Sequence, residues 1–351
     1  MQPVRLLILG TGGMAKTHAE NFAAIPGVTL VAGIDTRAEQ LATFRATHTI
    51  PHGFASVQDA IGWGAFDAVT NVTPDAAHYA TTLPFLAAGK HVLCEKPLAT
   101  NAAHASEMAA AAATAGVVNM VNLTYRNVPA LQKAARMVRD GAIGPIRHFE
   151  ASYLQSWLTQ PAWGHWDKES QWLWRLSTRH GSKGVLGDVG IHILDFATFI
   201  AGMDAVQISC LLQTFDKTPG GQIGEYVLDA NDSATMQVRL ANGALGTVGA
   251  TRFATGHLND LRLRLYGLTG GIEVRFEKGE SHLRASTGDN IKDGTWVDVD
   301  CPPVPTVYQS FIAAIRKEGP AEPDFARGAA LQVLLDKAEA SAAQDGRLLA
   351  V

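Results

Sequence analysis

The chain has 351 residues, 47% of them hydrophobic, enough to bury a large core and, at that length, to favour two domains. A formal net charge of -4, with a pI near 6.3, supplies no broad attraction for nucleic acid or an anionic membrane. Cys94, Cys210 and Cys301 are too scattered for a disulfide framework or metal cluster, and the first apolar run is far short of a membrane span or signal-peptide core, so a soluble cytoplasmic protein is expected.

That run, Val4 to Leu9, ends in Gly10-Thr-Gly-Gly-Met-Ala15. A helix pattern beginning near Gly12 or Gly13 follows, and a second strand from Val28 closes on Asp35. Gly10 suits a tight turn out of the strand, and Gly12 has no side chain to hold a pyrophosphate away from the backbone. Ala15 is small enough for close packing of helix on strand. The helix start would aim unpaired N–H groups at phosphates. Asp35 is placed to accept hydrogen bonds from a ribose 2′-hydroxyl, and it would repel a 2′-phosphate, which favours NAD over NADP. Arg37 supports the phosphate alternative. A plain glycine loop is the ordinary reading of such a turn; strand, helix, strand and terminal Asp together argue against it.

Arg37 to Thr47 reads as a helix, and Phe54 to Ala60 as a short strand or turn feeding a small helix. Phe66 to Val72 is the next strand, running into Thr73-Pro74-Asp75, where Thr73 is expected to cap a helix and Pro74 to take its first position. His78 on that helix either faces a cofactor or packs inside. Lys90 to Leu98 is a short apolar strand delivering a Glu95-Lys96-Pro97 turn. Side chains just beyond the carboxyl ends of parallel strands line a ligand crevice, so Lys96 is a candidate to hold a substrate oxygen; a solvated loop lysine is the alternative. Asn101 to Ala115 is an alanine-rich helix ended by Gly116, Val117 to Arg126 a strand, and Pro129 to Arg139 a helix. The domain boundary is expected between Leu123 and Asn127, giving domains 1–124 and 125–351.

Between Trp157 and Trp174 lie five of the seven tryptophans. The segment is too irregular for an amphipathic helix. It reads either as an aromatic wall over a sugar, with Asp167, Gln171 and Arg175 as polar partners, or as a tryptophan-rich core or subunit contact. Asp188 and His192 are four residues apart, on one face of a helix starting at or near Asp188; a capping aspartate plus a core histidine is the plain alternative. Strands are expected at 206–210, 233–240, 245–250, 261–266 and 268–276, with Arg262 and Arg264 on one face. A polar, loop-rich stretch at 279–298 and helices at 307–316 and 324–345 complete the chain.

Four stretches occur in the order found in one family. They are Gly10-Thr-Gly-Gly-Met-Ala15; Thr73-Pro74 with His78; Ala88-Gly-Lys-His-Val-Leu-Cys-Glu-Lys-Pro97; and Gly187-Asp-Val-Gly-Ile-His-Ile-Leu-Asp195. The chain resembles the Gfo/Idh/MocA oxidoreductases. The resemblance implies an α/β protein: an N-terminal Rossmann domain, then a C-terminal α/β domain built on a large open, mostly antiparallel sheet. It implies that Lys96, Asp188 and His192 are catalytic. It also implies that Gly10, Gly12, Gly13, Met14, Thr73, Pro74 and Glu95 contact the dinucleotide; Asp35, Arg37, His78 and Lys96 join that cofactor set. Ala15 stands where many relatives have glycine, which alters helix packing more than chemistry.

The expected activity is transfer of hydride between NAD, with NADP as the other candidate, and a hydroxyl carbon of a cyclic polyol or sugar. Histidine changes charge near neutral pH, which suits His192 to take the hydroxyl proton while Lys96 stabilises the oxygen and Asp188 positions the hydroxyl network. No metal is required. An NADPH-dependent keto-sugar reductase is the runner-up, and a non-catalytic dinucleotide sensor a third reading. The expected partner is the small-molecule substrate, with neither nucleic acid nor membrane, in a homodimer or homotetramer.

Overall fold

A computed structural model describes residues 3–351, apart from the side chains of Ser170 and Gln171. The chain divides into two compact units: one runs to Thr124 and takes in Pro305–Gln332, and the other comprises Tyr125–Val304 and Val333–Val351.

The first unit is a six-stranded parallel sheet with helices between successive strands. The order along the chain is Val4–Leu9 (β1), Gly13–Ala23 (α1), Val28–Ile34 (β2), Ala38–His48 (α2), His52–Phe54 (β3), Val57–Trp63 (α3) and Ala68–Asn71 (β4). Asp75–Ala87 (α4), His91–Cys94 (β5), Ala102–Ala115 (α5) and Asn119–Val121 (β6) follow. Across the sheet the strands run β3-β2-β1-β4-β5-β6, so the order reverses between β1 and β4. In open parallel sheets that reversal opens a crevice at the carboxyl ends of the strands. Every residue of β1 except Arg5 is buried, as expected where both faces of a parallel sheet are covered.

The second unit is built on a nine-stranded sheet. Its elements are Pro129–Arg139 (α6), Ile146–Leu154 (β7), Ser170–Leu173 (α7), Ile191–Ala201 (α8) and Ala205–Gln213 (β8), with a small ribbon of Gln222–Ile223 (β9) and Tyr226–Val227 (β10). The strands Ser233–Leu240 (β11), Leu245–Thr251 (β12), Asp260–Gly267 (β13), Gly270–Glu277 (β14), Glu280–Thr287 (β15), Val297–Asp298 (β16) and Leu349–Ala350 (β17) complete it. The order is β16-β15-β14-β13-β7-β12-β11-β8-β17, antiparallel throughout except for the β7–β12 pair. The expected loop at 279–298 is corrected by β15, which pairs with β14 along its whole length. Glu280, His282 and Arg284 alternate with the buried Leu283 and Ala285, so part of its composition is that of a solvated face.

On the sheet, Glu273 is held by three guanidiniums, those of Arg262, Arg264 and Arg275 at 2.5, 2.7 and 2.7 Å. Burial works to raise the Glu273 carboxyl, but the arginines hold it down to about 2. A cavity of about 360 Å³ on this sheet, lined in part by Glu150, Thr235, Arg262 and Arg264, contains none of the expected site residues.

Val307–Ile315 (α9) and the start of Phe325–Ala342 (α10) return to the first unit. Tyr308 and Phe311 of α9 meet the fully buried Phe22 of α1 at ring separations of 5.3 and 6.2 Å, in edge-on geometry. Phe22→Ala should therefore destabilise by about 3–5 kcal/mol, read as a fall in the urea midpoint with unchanged slope.

Candidate active site

The glycine turn that leads from β1 into α1 has the backbone geometry the sequence reading expects. Gly10 has φ +89°, and a Cβ there would lie 3.0 Å from the Val72 carbonyl oxygen, so only glycine makes this turn beside β4. Around Gly12 and Gly13 an added Cβ meets nothing within 4 Å, leaving open space at the start of α1. No side chain caps α1 at Gly12, and Met14 in its first turn is exposed. Open space over uncapped N–H groups fits a dinucleotide pyrophosphate.

Asp35 ends β2 as expected, but its carboxylate is already engaged. Oδ2 accepts from the Thr11 N–H at 2.9 Å and the Thr11 hydroxyl at 2.7 Å. Oδ1 accepts from the Arg37 N–H at 2.9 Å and the Arg37 Nε at 3.2 Å. Burial acts to raise the Asp35 carboxyl, yet Arg37 and Thr11 hold it down to about 2. It is therefore an anion whose lone pairs a ribose hydroxyl would have to share with Thr11 and Arg37.

Thr73 and Pro74 lie where β4 enters α4, with one correction to the expected cap. Pro74 is itself the N-cap, and Thr73 makes no cap bond; its hydroxyl donates to Asn71 Oδ1 at 2.7 Å. Asn71 can hold it because its own amide donates to Thr81 and Thr82, both at 2.9 Å. His78 is fully buried rather than facing a ligand space, with both ring nitrogens against backbone carbonyls.

Glu95 and Lys96 follow β5, and the Lys96–Pro97 peptide is cis. Glu95 Oε2 accepts from the Lys96 N–H at 3.1 Å, while Oε1 accepts from His18 Nε2 at 2.9 Å and the Asn122 amide at 2.6 Å. His18 Nδ1 is 2.7 Å from the Thr70 hydroxyl, and the Asn122 amide also reaches the Tyr308 hydroxyl at 3.1 Å. Burial works to raise the Glu95 carboxyl, but His18, Asn122 and the nearby Lys96 charge lower it to about 2. A buried network, satisfied except at Asn122 Oδ1, thus fixes the turn carrying Lys96.

In the second unit Leu186–Gly190 forms a π-helical turn that runs directly into α8, so Asp188 and His192 belong to one continuous helical stretch. Such widened turns recur at functional sites. Asp188 is held from both sides: Oδ1 by Arg175 at 3.2 Å and Oδ2 by Arg252 at 3.1 Å. Arg252 has no exposed surface; it donates to the Arg175 carbonyl at 3.1 Å and its guanidinium lies 4.9 Å from the Trp157 ring centroid. Both carboxylate oxygens of Asp188 are thus engaged by guanidinium donors.

His192 is buried, its ring edge-on to Tyr125 at 4.9 Å. Tyr125 is 2.5 Å from the Tyr153 hydroxyl, which donates to Asn259 Oδ1 at 2.9 Å; the Gln155 amide donates to the same oxygen at 2.7 Å. Burial pushes Tyr125 up to about 12 and Tyr153 well above its ordinary value, so both phenols stay neutral around His192. The tryptophan segment forms a local core in which Trp157, Leu158, Leu173, Leu176 and Leu228 are buried, with Trp163, Trp166 and Trp172 packed against them. Of its expected polar partners Arg175 reaches Asp188; Gln171 lies outside the described side chains.

The structure thus places Glu95 and Lys96 in one buried network, and Asp188 and His192 on one helical stretch of the other unit. Sequence reasoning missed His18, Asn122 and Tyr308 behind Lys96, and Tyr125, Tyr153, Gln155 and Asn259 around the Asp188–His192 stretch. No local pattern marks them, because each acts through partners distant in sequence. Among the described residues no group of three or more His, Cys, Asp or Glu side chains could hold a metal ion, and no helix is long and apolar enough to cross a membrane.

Residues 4–123 match the oxidoreductase family with an NAD-binding Rossmann fold, and residues 131–273 the GFO/IDH/MocA C-terminal domain. D-glucoside 3-dehydrogenase of Escherichia coli is 30% identical over 69% of this chain and 68% of its own. The chain belongs to the Gfo/Idh/MocA oxidoreductase family. It is an NAD-binding oxidoreductase. Levoglucosan dehydrogenase of Pseudarthrobacter phenanthrenivorans is 26% identical over 98% of this chain and 97% of its own. A structure of levoglucosan dehydrogenase with NADH and L-sorbose superposes with a TM-score of 0.88 at 26% identity, covering 100% of this chain and 99% of that one.

Proposed function

We propose that this oxidoreductase is an NAD-dependent dehydrogenase of a secondary hydroxyl on a cyclic polyol or pyranose. The observation that carries the reading is Asp188, fixed between Arg175 and Arg252 on the stretch that leads to His192. An aspartate so held accepts a hydrogen bond but takes no proton, which leaves His192 as the proton acceptor. A substrate with two adjacent hydroxyls suits that division: one gives its proton to His192, and its neighbour donates to Asp188. Lys96, on the turn fixed by Glu95, donates to the reacting oxygen and stabilises the charge that develops there. The glycine turn and start of α1, with Met14, Thr73 and Pro74, would hold the dinucleotide, which when bound supplies the hydride acceptor. The activities named for D-glucoside 3-dehydrogenase and levoglucosan dehydrogenase support a sugar-derived substrate.

The test is an absorbance screen at the nicotinamide wavelength against inositols, aldoses, glycosides and anhydrosugars with NAD and NADP. Turnover confined to acyclic alcohols would sink the reading. We further propose that the protein works in the cytoplasm as a homodimer or homotetramer, and that neither nucleic acid nor a membrane is its partner. Its three free cysteines suit a reducing compartment.

NADP-linked keto-sugar reduction has one observation in its favour: the largely exposed Arg37 guanidinium lies against Asp35, the residue proposed for the ribose. Removing Arg37 frees Asp35 for the ribose. Arg37→Ala should raise the NAD/NADP ratio of kcat/KM by about tenfold, and Asp35→Ala should lower it by a similar factor, one lost charge-assisted contact in each case. Unchanged ratios in both variants would remove this pair from cofactor choice.

A further inference from the structure

We propose that His78 is an imidazolium at neutral pH and a positioning residue, clasping the Thr73 turn to the Lys96–Pro97 turn without itself touching the cofactor. The inference rests on the reading of Lys96 given above for its catalytic consequence, but not for its chemistry.

His78 has no exposed surface. Its Nδ1 lies 2.8 Å from the Pro97 carbonyl oxygen and its Nε2 2.9 Å from the Thr73 carbonyl oxygen. Both partners can only accept. A neutral imidazole carries one N–H, so in either tautomer the second nitrogen would aim a lone pair at a carbonyl oxygen. Turning the ring over would put carbons in place of both nitrogens and forfeit both bonds. Only the imidazolium, with two N–H groups, satisfies the geometry.

The charge has compensation. Burial disfavours it, but the Cys94 sulfur of β5 and the Asp75 carboxylate of its own helix favour it, as does the Pro97 carbonyl, and the balance raises His78 to about 10. Cys94 and Asp75 are the titratable groups that act on the ring from these two elements.

The clasp joins the two turns that frame the nicotinamide side of the site. Thr73 is fixed on its other flank by Asn71, which accepts from its N–H and hydroxyl at 3.1 and 2.7 Å. Lys96 is fixed through its own N–H by Glu95. His78 supplies the link from the first anchored turn to the second, and charge-assisted bonds are the strong class for that work.

The test is nitrogen NMR of the whole protein with ¹⁵N-labelled histidine, at about pH 8.5, where an unconstrained histidine is neutral. One histidine should show both ring nitrogens protonated, with two slowly exchanging N–H protons, and the signal should vanish in His78→Gln. A His78 that titrates near its ordinary value, or no histidine with two protected ring protons, would overturn the proposal. If His78→Gln does not fold, through-space contacts of the two ring protons with Thr73 and Pro97 in the parent protein distinguish His78 from His18, which is also buried with both ring nitrogens engaged.

Where the variant folds, NADH should bind about tenfold more weakly, followed by quenching of protein fluorescence. Its melting temperature should also fall below that of the parent by an amount that depends on pH. A raised histidine stabilises most below about pH 6.5 and loses that effect as pH rises toward 10, so the gap should narrow over that window. A gap constant with pH would mean packing alone. Neither the spectrum nor NADH binding requires a substrate, so failure of the polyol assignment and failure of the clasp are separable.

Discussion

Replacing His192 with alanine is expected to lower kcat by about 10²- to 10⁴-fold while NADH binds as before. The expectation follows from how the second unit disposes of the alternatives. Asp188 has both carboxylate oxygens engaged by Arg175 and Arg252, and Tyr125 and Tyr153 are buried phenols with raised values, so none of them is suited to accept a proton at neutral pH. We take His192 as the acceptor; its ring lies edge-on to Tyr125 at 4.9 Å. Lys96→Ala should show the same split between turnover and cofactor binding, because the Glu95 network that fixes its turn survives the substitution. Asp188→Asn should cost less than either, since an amide oxygen still accepts a hydrogen bond. Steady-state kcat beside NADH titration distinguishes these cases. Wild-type turnover in a folded His192→Ala protein would remove histidine from the proton step.

The parts of the site that the sequence makes legible are those whose chemistry is written locally. The Gly10 turn, the carboxylate ending β2 and the Lys96 turn after β5 each need a specific residue at a specific point of a strand–turn–helix unit, so composition and spacing reveal them. His78 shows the limit: its place on α4 was readable, but whether its nitrogens meet a ligand or two carbonyls depends on how the Pro97 turn folds back nineteen residues later. Arg252 is more extreme. It follows the last residue of β12, and only the sheet register, with its partner Asp188 64 residues away, makes it a buried cation.

Fold-level misses have the same origin. The central strand β7 has an alternating buried pattern broken at Arg147 and His148, and the sequence reading names no element there. β15 looks like a loop because its outward face carries Glu280, His282 and Arg284. In both, neighbouring strands supply the hydrogen bonds that local propensity does not guarantee.

The anchor of α8 gives an expected effect on stability as large as that at Phe22. Arg126 and Asp195 form a two-pronged pair at 2.6 and 2.8 Å, with side chains only 8% and 5% exposed. The guanidinium also lies 3.5 Å from the Phe199 ring centroid, one turn further along α8. Such a pair recovers its desolvation cost only while both members are present. Asp195→Ala strands a buried cation and should destabilise by about 3–5 kcal/mol, a fall in melting temperature on the order of 10 °C for a unit of this size. Arg126→Met should cost a similar amount by stranding the carboxylate. The double variant Arg126→Met/Asp195→Leu removes both charges and keeps the volume, so it should recover most of the loss. Because Asp195 sits three residues beyond His192, the single variants should also lose turnover below their melting temperatures, and the double variant should regain stability more fully than activity. A double variant as unstable as either single one would show that the pair stabilises α8 outright; a single variant that melts with the parent would show that water or another partner satisfies the stranded charge.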